Sequence, residues 1–260
     1  MTWKLTWSIP EKELSIIKVF YQQHKNSPMV KRRRKKNVRR EGLDFSKNTF
    51  LKAMLCCLAT SQQRSGPTSK VANFLRVHPF PITEQYCRLN RRKLPELIQH
   101  QLSTAGIRLS GRIATFFTTN LERLEDSNWH LLRELRKDKA TGQTAEEWER
   151  GMATSISIGK GTPNLKLVGF GPKQARNLLQ IMGVSRFEVP LDSRVLAWLQ
   201  QYGFPYDLTD NQGLHPAMYE ILVDSIKEIA RQIGVYPCVL DAAIFAAVDD
   251  GGWTEDNLIF

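Results

Sequence analysis

The stretch Leu167-Val-Gly-Phe-Gly-Pro-Lys-Gln-Ala-Arg-Asn-Leu-Leu-Gln-Ile-Met-Gly183 combines a glycine turn with an amphipathic helix. Gly169 and Gly171 carry no Cβ, so the backbone amides of this turn can approach an anion closely. Pro172 suits the first position of a helix, and apolar residues then recur at helical spacing to the end of the stretch. The pattern predicts a hairpin and helix over about 165–183 that is suited to a phosphate.

Lys173 falls in the first turn of this predicted helix. A lysine near the positive end of a helix dipole is favoured as the free amine, which is the form that nucleophilic attack requires. The same lysine can instead contact a phosphate while the hairpin only docks on DNA. The local pattern leaves both interpretations open.

Asp192 follows in the segment Glu188-Val-Pro-Leu-Asp-Ser-Arg-Val195, directly before a second helical pattern. A carboxylate in this position is typical of a helix N-cap, and a pure capping role is one interpretation. The span from Lys173 to Asp192 is long enough for a helix and a loop that return the second helix beside the start of the first. The sequence therefore predicts a lysine and a carboxylate in one cleft.

The stretch from Leu167 to Trp198 resembles the helix-hairpin-helix and Gly/Pro-Asp signature of a DNA glycosylase superfamily. That superfamily includes endonuclease III, the adenine-mismatch glycosylase and 8-oxoguanine DNA glycosylase, and the spacing from Lys173 to Asp192 resembles the 8-oxoguanine branch. The resemblance extends more weakly over about residues 46–250. It implies an all-α fold in which two helical subdomains flank a DNA-binding cleft that carries the helix-hairpin-helix motif.

The resemblance also implies a chemistry for the two residues. Lys173 would attack C1′ of a damaged nucleotide, and Asp192 would orient or activate the lysine and stabilise positive charge on the sugar. The implied function is a bifunctional DNA glycosylase and AP lyase in base excision repair, which removes 8-oxoguanine from double-stranded DNA and cuts the strand by β-elimination. Two alternatives stay open: a glycosylase for another modified or alkylated base, and a non-catalytic helix-hairpin-helix DNA-binding module.

Two other segments resemble the parts of the superfamily that meet the minor groove. Residues 50–64 read as an apolar helix that ends in amides, and the resemblance implies that Gln62 or Gln63 fills the gap left by the extruded base. A polar helix end in solvent is the alternative. Further on, Ile107 and Arg108 resemble a Gly-Tyr-Arg hairpin, in which Ile107 replaces an aromatic wedge and Arg108 reads the opposite base or binds phosphate.

The segment Val239–Asp249 resembles the final helix of the 8-oxoguanine branch and is expected to hold the base. Asp241 and Phe245 lie one turn apart, so one can hydrogen-bond a base edge while the other covers the ring. An ionised Asp241 only accepts hydrogen bonds, which fits the N1–H and amino group of a guanine-type base. A helix cap and ordinary core packing are the alternatives for these two residues. Asn177 stands one turn after Lys173, where this branch commonly has a cysteine against the flipped base.

The positive charge of the chain is concentrated in one segment. The 260 residues carry a formal net charge of +11, and Lys31–Arg40 contains eight cations and no anion. An excess of this kind favours a polyanionic partner. Such a run is typical of a disordered tail, of a loop that follows a phosphate backbone, or of a localisation signal.

The organisation of the chain is predicted in three parts. Residues 1–45 form an N-terminal extension with the basic arm 31–40, residues 46–250 the glycosylase domain, and residues 251–260 a C-terminal tail. An extended segment is expected at 3–9. Helical patterns are predicted at about 11–21, 46–62, 67–77, 83–103, 109–124, 127–138, 144–158, 172–182, 192–202, 213–233 and 237–249.

The cysteine pattern bears on cofactors and on the compartment. The four cysteines lack the close C-terminal spacing that the endonuclease III branch uses for a [4Fe-4S] cluster, so neither a cluster nor a metal is predicted. A structural monovalent cation on the hairpin carbonyls stays open. Cysteines in apolar surroundings, no signal peptide and no membrane-length apolar run predict an intracellular protein of the cytoplasm, nucleoid or nucleus. The expected state is a monomer with no membrane partner.

Overall fold

In this computed structural model, residues 9–61, 63, 66–137, 143–161, 164–204, 216–248 and 252–260 are described. These ranges contain helices, turns and loops and no strand, which confirms the all-α prediction. The extended segment expected at 3–9 lies outside the described residues except for Ile9. The helices are α1 Glu11–His24, α2 Pro28–Arg33, α3 Lys47–Ala59, α4 Lys70–Leu75, α5 Glu84–Leu89, α6 Leu94–Thr104, α7 Ser110–Asp126, α8 His130–Arg136, α9 Gln143–Ile158, α10 Pro172–Ile181, α11 Ser193–Gln201, α12 Pro216–Gln232 and α13 Pro237–Val248.

Capping residues set several helix starts. The hydroxyl of Ser46 accepts a hydrogen bond from the backbone N–H of Thr49, and Ser69 and Thr83 cap α4 and α5 in the same way. The single helix predicted at 83–103 is wrong, because the chain breaks between α5 and α6. Pro95 lies in the first turn of α6, where its missing N–H costs no helical bond, so a new helix begins there.

The helices form two packed bodies, as the fold prediction requires. The first subdomain contains α3 to α10 around a core that includes Phe50, Phe117 and Leu178. The second contains α1, α2 and α11 to α13, with Leu199, Leu222 and other apolar side chains in its core. Helices from both ends of the chain therefore share the second subdomain, and the chain passes between the two bodies in the loop from α10 to α11.

The basic segment is helical and packed, in contrast to the tail or loop that its charge suggests. It spans the end of α2 and a π-helical turn, Arg34–Val38. The buried amide of Asn37 donates hydrogen bonds to the carbonyls of Gln180, at 3.0 Å, and Ser185, at 2.8 Å. Val30 is fully buried against α13. These contacts order the segment because they satisfy buried polar groups and bury an apolar side chain, which outweighs the repulsion among its cations.

The last two helices meet at 96°. Their turn is closed by a hydrogen bond from the N–H of Val235 to the carbonyl of Ala230 at 2.9 Å. Across the described ranges, no single helix is long and apolar enough to cross a membrane, and the bent pair Met218–Gln232 with Pro237–Val248 meets that criterion only when its two helices are taken together.

The turn of the predicted hairpin lies between α9 and α10, directly before the start of α10, and is held by α7. The side-chain amide of Asn120 accepts a hydrogen bond from the N–H of Val168 at 2.6 Å and donates one to its carbonyl at 2.9 Å. Gly169 follows with a φ of +80°, and a Cβ there would come within 2.4 Å of the ring of Phe116. Gly171 is exposed, with an ordinary φ of −88° and no atom near the position of a Cβ.

The two glycines should therefore respond differently to alanine. We expect Gly169→Ala to lower the free energy of unfolding by more than about 1 kcal/mol, because a side chain is strained at positive φ and collides with Phe116. Gly171→Ala should leave stability nearly unchanged. Chemical denaturation of both variants beside the wild type measures this. Equal stability of the two variants would contradict the hairpin geometry.

Candidate active site

One cavity of about 210 Å³ collects most of the side chains that the sequence singles out. It lies between the subdomains, lined on one side by α3, α4 and α10 and on the other by α2, α13 and the start of α11. Its walls include the predicted site residues Lys173, Asn177, Asp192, Asp241 and Phe245.

Lys173 and Asp192 reach this cavity from two different helix starts. Lys173 is the second residue of α10 and is half-buried, and Asp192 is the N-cap of α11. One carboxylate oxygen of Asp192 accepts the backbone N–H groups of Arg194, at 2.9 Å, and Val195, at 3.2 Å. Asp192 therefore caps α11 and also lines the cavity.

The electrostatics of Asp192 keep it ionised. Burial alone would raise the pKa of Asp192, but the hydrogen bonds and charge of Arg194, the charge of Lys173 and the N–H of Val195 hold that pKa below its ordinary value. The Nε of Arg194 lies 2.9 Å from the second carboxylate oxygen. The charge of Lys173 also acts on the buried thiol of Cys57. The charge of Lys173 thus acts both on Cys57 of α3 and on Asp192 at the start of α11.

A buried carboxylate shapes the loop that joins the two helix starts. Glu149, on α9, accepts hydrogen bonds from the N–H groups of Arg186, at 2.9 Å, Phe187, at 2.7 Å, and Glu188, at 3.0 Å. It also accepts the hydroxyl of Ser185 at 3.0 Å. Burial raises the pKa of Glu149 despite these four donors. The loop is consequently fixed over residues 185–188, directly before the run 189–191 that leads to the aspartate.

A buried ion pair anchors the same loop to α10 and α12. The Nε of Arg176 lies 2.6 Å from Glu188, and both side chains are almost completely buried. Arg176 also reaches Glu220 at 2.8 Å, and Lys227 reaches Glu188 at 2.5 Å. Burial would raise the pKa of Glu188, but the charges of Arg176 and Lys227 hold it below its ordinary value. Sequence reasoning missed this cluster, because nothing in a helical pattern pairs charges on three separate segments.

Asp241 faces the cavity from the interior of α13. It is the fifth residue of that helix and is buried, so the capping alternative is wrong. The nearest cation is Arg33, whose Nη2 lies 3.8 Å from a carboxylate oxygen of Asp241. Burial raises the pKa of Asp241 to about 6, with Arg33 opposing the shift and Asp192 adding to it. Of the two carboxylates in the cavity, Asp241 therefore has a raised pKa and Asp192 a lowered one.

Phe245 presents a ring face to the cavity, and Arg194 covers that face. The guanidinium carbon of Arg194 stands 4.0 Å from the ring centroid, a cation–π contact. The ring of Trp253 lies 6.4 Å away on the tail. A planar group can stack on this face of Phe245 only after Arg194 has moved.

The predicted minor-groove segments lie close together at the end of α3. The side-chain amide of Gln63 donates to the carbonyl of Ala59 and accepts the backbone N–H of Arg108 at 3.2 Å. Arg108 is exposed, and Gln62 lies outside the described residues. Ile107 is buried in the core of the first subdomain, so its expected role as a wedge is wrong; the neighbouring Leu109 is exposed, with a φ of +58°.

Asn177 does not stand alone in the cavity wall. Its amide donates to Gln174 at 2.9 Å, and Gln174 donates to the hydroxyl of Ser61 at 2.7 Å. This chain of side chains connects the hairpin helix α10 to the end of α3. These hydrogen bonds thus connect the helix that carries Lys173 to the loop that is expected to enter the minor groove.

Cations of the basic segment form the remaining wall together with the tail. Arg32, Arg33 and Lys36 line the cavity, as does Phe260. The Nε of Arg32 donates to the backbone carbonyl of Phe260 at 2.7 Å. Burial and then the neighbouring charges of Arg32 and Arg33 lower the pKa of Lys36 to about 8. Three of the eight cations that the sequence concentrates in this segment therefore line the cavity.

In the described part of the chain, no group of three or more His, Cys, Asp or Glu side chains could hold a metal ion. The four cysteines are free and buried. Burial raises the pKa of each thiol, so these groups are poor nucleophiles and poor ligands at neutral pH. The nucleophile best placed in the cavity is the amine of Lys173.

No protein-family model and no curated protein sequence matches the chain. Its structure is similar to that of the 8-oxoguanine DNA glycosylase of Methanocaldococcus jannaschii, with a TM-score of 0.61 and 14% identity over 91% of this chain and 94% of that chain. For the 8-oxoguanine DNA glycosylase of Thermotoga maritima the TM-score is 0.59, with 17% identity over 93% and 98%. The chain has the fold of these glycosylases. The Methanocaldococcus jannaschii glycosylase/lyase in complex with a 15mer DNA containing 8-oxoguanine gives a TM-score of 0.58, with 13% identity over 92% and 100%.

The raised pKa of Asp241 has a measurable effect on the free energy of unfolding. Because the pKa of Asp241 rises to about 6 on folding, ionisation of Asp241 lowers the free energy of unfolding as the pH increases from about 4 to about 6, and the whole cost remains above that range. Asp241→Asn should therefore stabilise the protein at pH 8 by about 3 kcal/mol, and the gain should vanish below pH 4. Denaturant titrations at the two pH values test this. A less stable variant at pH 8 would mean that the attraction of Arg33 outweighs burial.

Proposed function

We propose that this protein is a DNA glycosylase with AP lyase activity that removes an oxidised guanine from double-stranded DNA. The observation that carries the proposal is the pairing of a half-buried lysine, Lys173, with an ionised carboxylate, Asp192, in one cavity of a glycosylase fold. The similar structure bound to a 15mer DNA containing 8-oxoguanine supports DNA as the partner. A lysine amine supplies the nucleophile, so the mechanism needs no metal or redox cofactor.

The first step is displacement of the base from the flipped nucleotide. The free amine of Lys173 attacks C1′, the glycosidic bond breaks, and the base leaves with the bonding electron pair and takes up a proton. Asp192 remains ionised at neutral pH because its pKa is low, so it is a weak base. Its role is accordingly to stabilise the positive charge that develops on the sugar, rather than to abstract the proton of the lysine.

The second step cuts the strand. The amine bonded at C1′ loses a proton, the sugar ring opens, and the nitrogen becomes a protonated imine. The imine acidifies the C2′ hydrogen, and loss of that proton expels the 3′ phosphate by breaking the C3′–O bond. The enzyme is released when water hydrolyses the imine. The intermediate is covalent, and borohydride reduces it to a stable amine.

The groups outside the cavity are arranged for duplex DNA. The exposed hairpin at Gly171 offers backbone amides to a phosphate, and the exposed Arg108 stands beside the end of α3. The amide of Gln63 already bridges Ala59 and Arg108, which favours Gln62 as the side chain that fills the gap in the duplex. The base would enter the cavity between Phe245 and Lys173.

Replacing the nucleophile tests the mechanism directly. A labelled duplex with 8-oxoguanine opposite cytosine, treated with borohydride, should give a covalent band with the wild type and none with Lys173→Gln. The affinity of Lys173→Gln for the duplex should stay within about threefold of the wild type, because the variant loses only one of the many contacts that bind DNA.

Two other outcomes are informative. A wild type that traps on an abasic duplex but not on 8-oxoguanine would retain the lyase and exclude this lesion, which favours another modified base. No trapping on either duplex would overturn the lyase mechanism and favour a monofunctional glycosylase. If Lys173→Gln also bound DNA more weakly, a DNA-binding module would be favoured instead.

Asp192→Asn separates the two steps. Asparagine keeps the N-cap of α11, so the fold should be retained, but the negative charge beside the sugar is lost. Base excision should fall by roughly 100-fold. Cleavage of a preformed abasic site should fall much less, because no base has to be expelled. Single-turnover rates on the two duplexes give this ratio, and an equal loss on both would show that the carboxylate acts only through structure.

A further inference from the structure

Arg33 belongs to the wall of the cavity although it lies in the basic segment. It is the last residue of α2, which packs through Val30 against Val239 and Ala242 of α13. Only 18% of the Arg33 side chain is exposed. A cation held this deep by helix packing is unlike the solvated cations of a phosphate-binding arm, such as Arg39, whose side chain is 60% exposed.

The guanidinium of Arg33 has unused donors. Its Nη2 lies 3.8 Å from Asp241, close enough for charge attraction but beyond hydrogen-bond distance. Among the described residues, the side chain of Arg33 makes no hydrogen bond, whereas the side chain of Arg32 bonds to Phe260 and that of Arg34 to Tyr21. A guanidinium carries five N–H donors, so the Arg33 side chain keeps its donors available to an acceptor in the cavity that it lines. This arrangement is suited to an acceptor that enters the cavity.

Arg33 and Asp241 together form a fixed pair of opposite hydrogen-bonding character. The arginine offers only donors and the ionised aspartate only acceptors, and they stand side by side in the same wall. A planar ligand that bonds to both must present an acceptor next to a donor along one edge. The keto oxygen O6 and the neighbouring N1–H of a guanine-type base have this order. An adenine-type base presents an amino group and a bare ring nitrogen, which is the reverse.

We infer that Arg33 is a base-reading residue, which donates to O6 of the flipped purine while Asp241 accepts from its N1–H and amino group. The inference rests on the proposed glycosylase function and adds to it the means by which 6-keto purines are selected over 6-amino purines. The stacked ring is Phe245, which lies one turn beyond Asp241 on α13.

The test compares three single-turnover rates for each protein. The duplexes contain 8-oxoguanine, 8-oxoadenine or a preformed abasic site; the first two bases share the oxidised five-membered ring and differ on the edge that Arg33 would read. The variants are Arg33→Met, which removes all donors, and Arg33→Lys, which keeps a charge beside Asp241. Arg39→Met is the control, because it removes the same charge from the same segment at an exposed site.

For Arg33→Met, the ratio of 8-oxoguanine excision to abasic-site cleavage should fall by about 10- to 100-fold, the usual discrimination of a paired base contact. The preference for 8-oxoguanine over 8-oxoadenine should shrink by a similar factor. Arg33→Lys should recover part of both ratios, and Arg39→Met should retain the wild-type values. Cleavage of the abasic duplex reports that each variant is folded, because that reaction needs no base in the cavity.

Ratios for Arg33→Met within about threefold of the wild type would overturn the inference and leave the proposed function standing. An equal loss in Arg39→Met would overturn it as well, since the effect would then come from charge alone. A wild type that is inert on all three duplexes would overturn the proposed function itself, and the inference with it.

Discussion

The geometry of the cavity depends on how the loop between α10 and α11 is held, because that loop sets Lys173 against Asp192. Glu149 binds three successive backbone N–H groups of the loop, and the buried pair of Arg176 and Glu188 connects it to the helix that carries the lysine. Buried ion pairs gain little stability over apolar side chains of the same size, but breaking one costs about 3–5 kcal/mol. Their contribution here is therefore to specify one arrangement of the loop and to make alternatives costly.

A fixed loop allows the cavity to hold two carboxylates in different states. Asp192 is bonded to Arg194 and two backbone N–H groups, which favours its ionised form. Asp241 is buried, and a hydrogen bond from Gln180 and a more distant cation only partly offset the effect of burial on its pKa. In the proposed function, Asp192 would oppose a positive sugar while Asp241 bonds to a base edge. Arg194 connects the two functions, since it holds Asp192 and covers the ring of Phe245.

The sequence predicted what depends on neighbours along the chain. The hairpin, the starts of α10 and α11 and the cavity position of Lys173 and Asp192 follow from glycine turns, capping and helical spacing. The failures come from contacts between distant segments. Asn37 anchors the basic segment through carbonyls more than 140 positions away, so charge alone suggested a loop. Ile107 is buried in the core of the first subdomain, which a comparison of local motifs does not reveal.

Under the proposed function, a base that enters this cavity would replace existing contacts between side chains. The guanidinium of Arg194 lies on the ring of Phe245, and a base must take that place to stack. If Arg194 moves off the ring, it keeps its hydrogen bonds to Asp192 only where its guanidinium still reaches the same carboxylate oxygen. A cation–π contact contributes about 0.5–2 kcal/mol, comparable to what base stacking returns. Under the proposed function, the balance between a stacked and an excluded base would therefore depend on the polar edge of the base, where only a base of the right hydrogen-bonding pattern would gain bonds to Arg33 and Asp241.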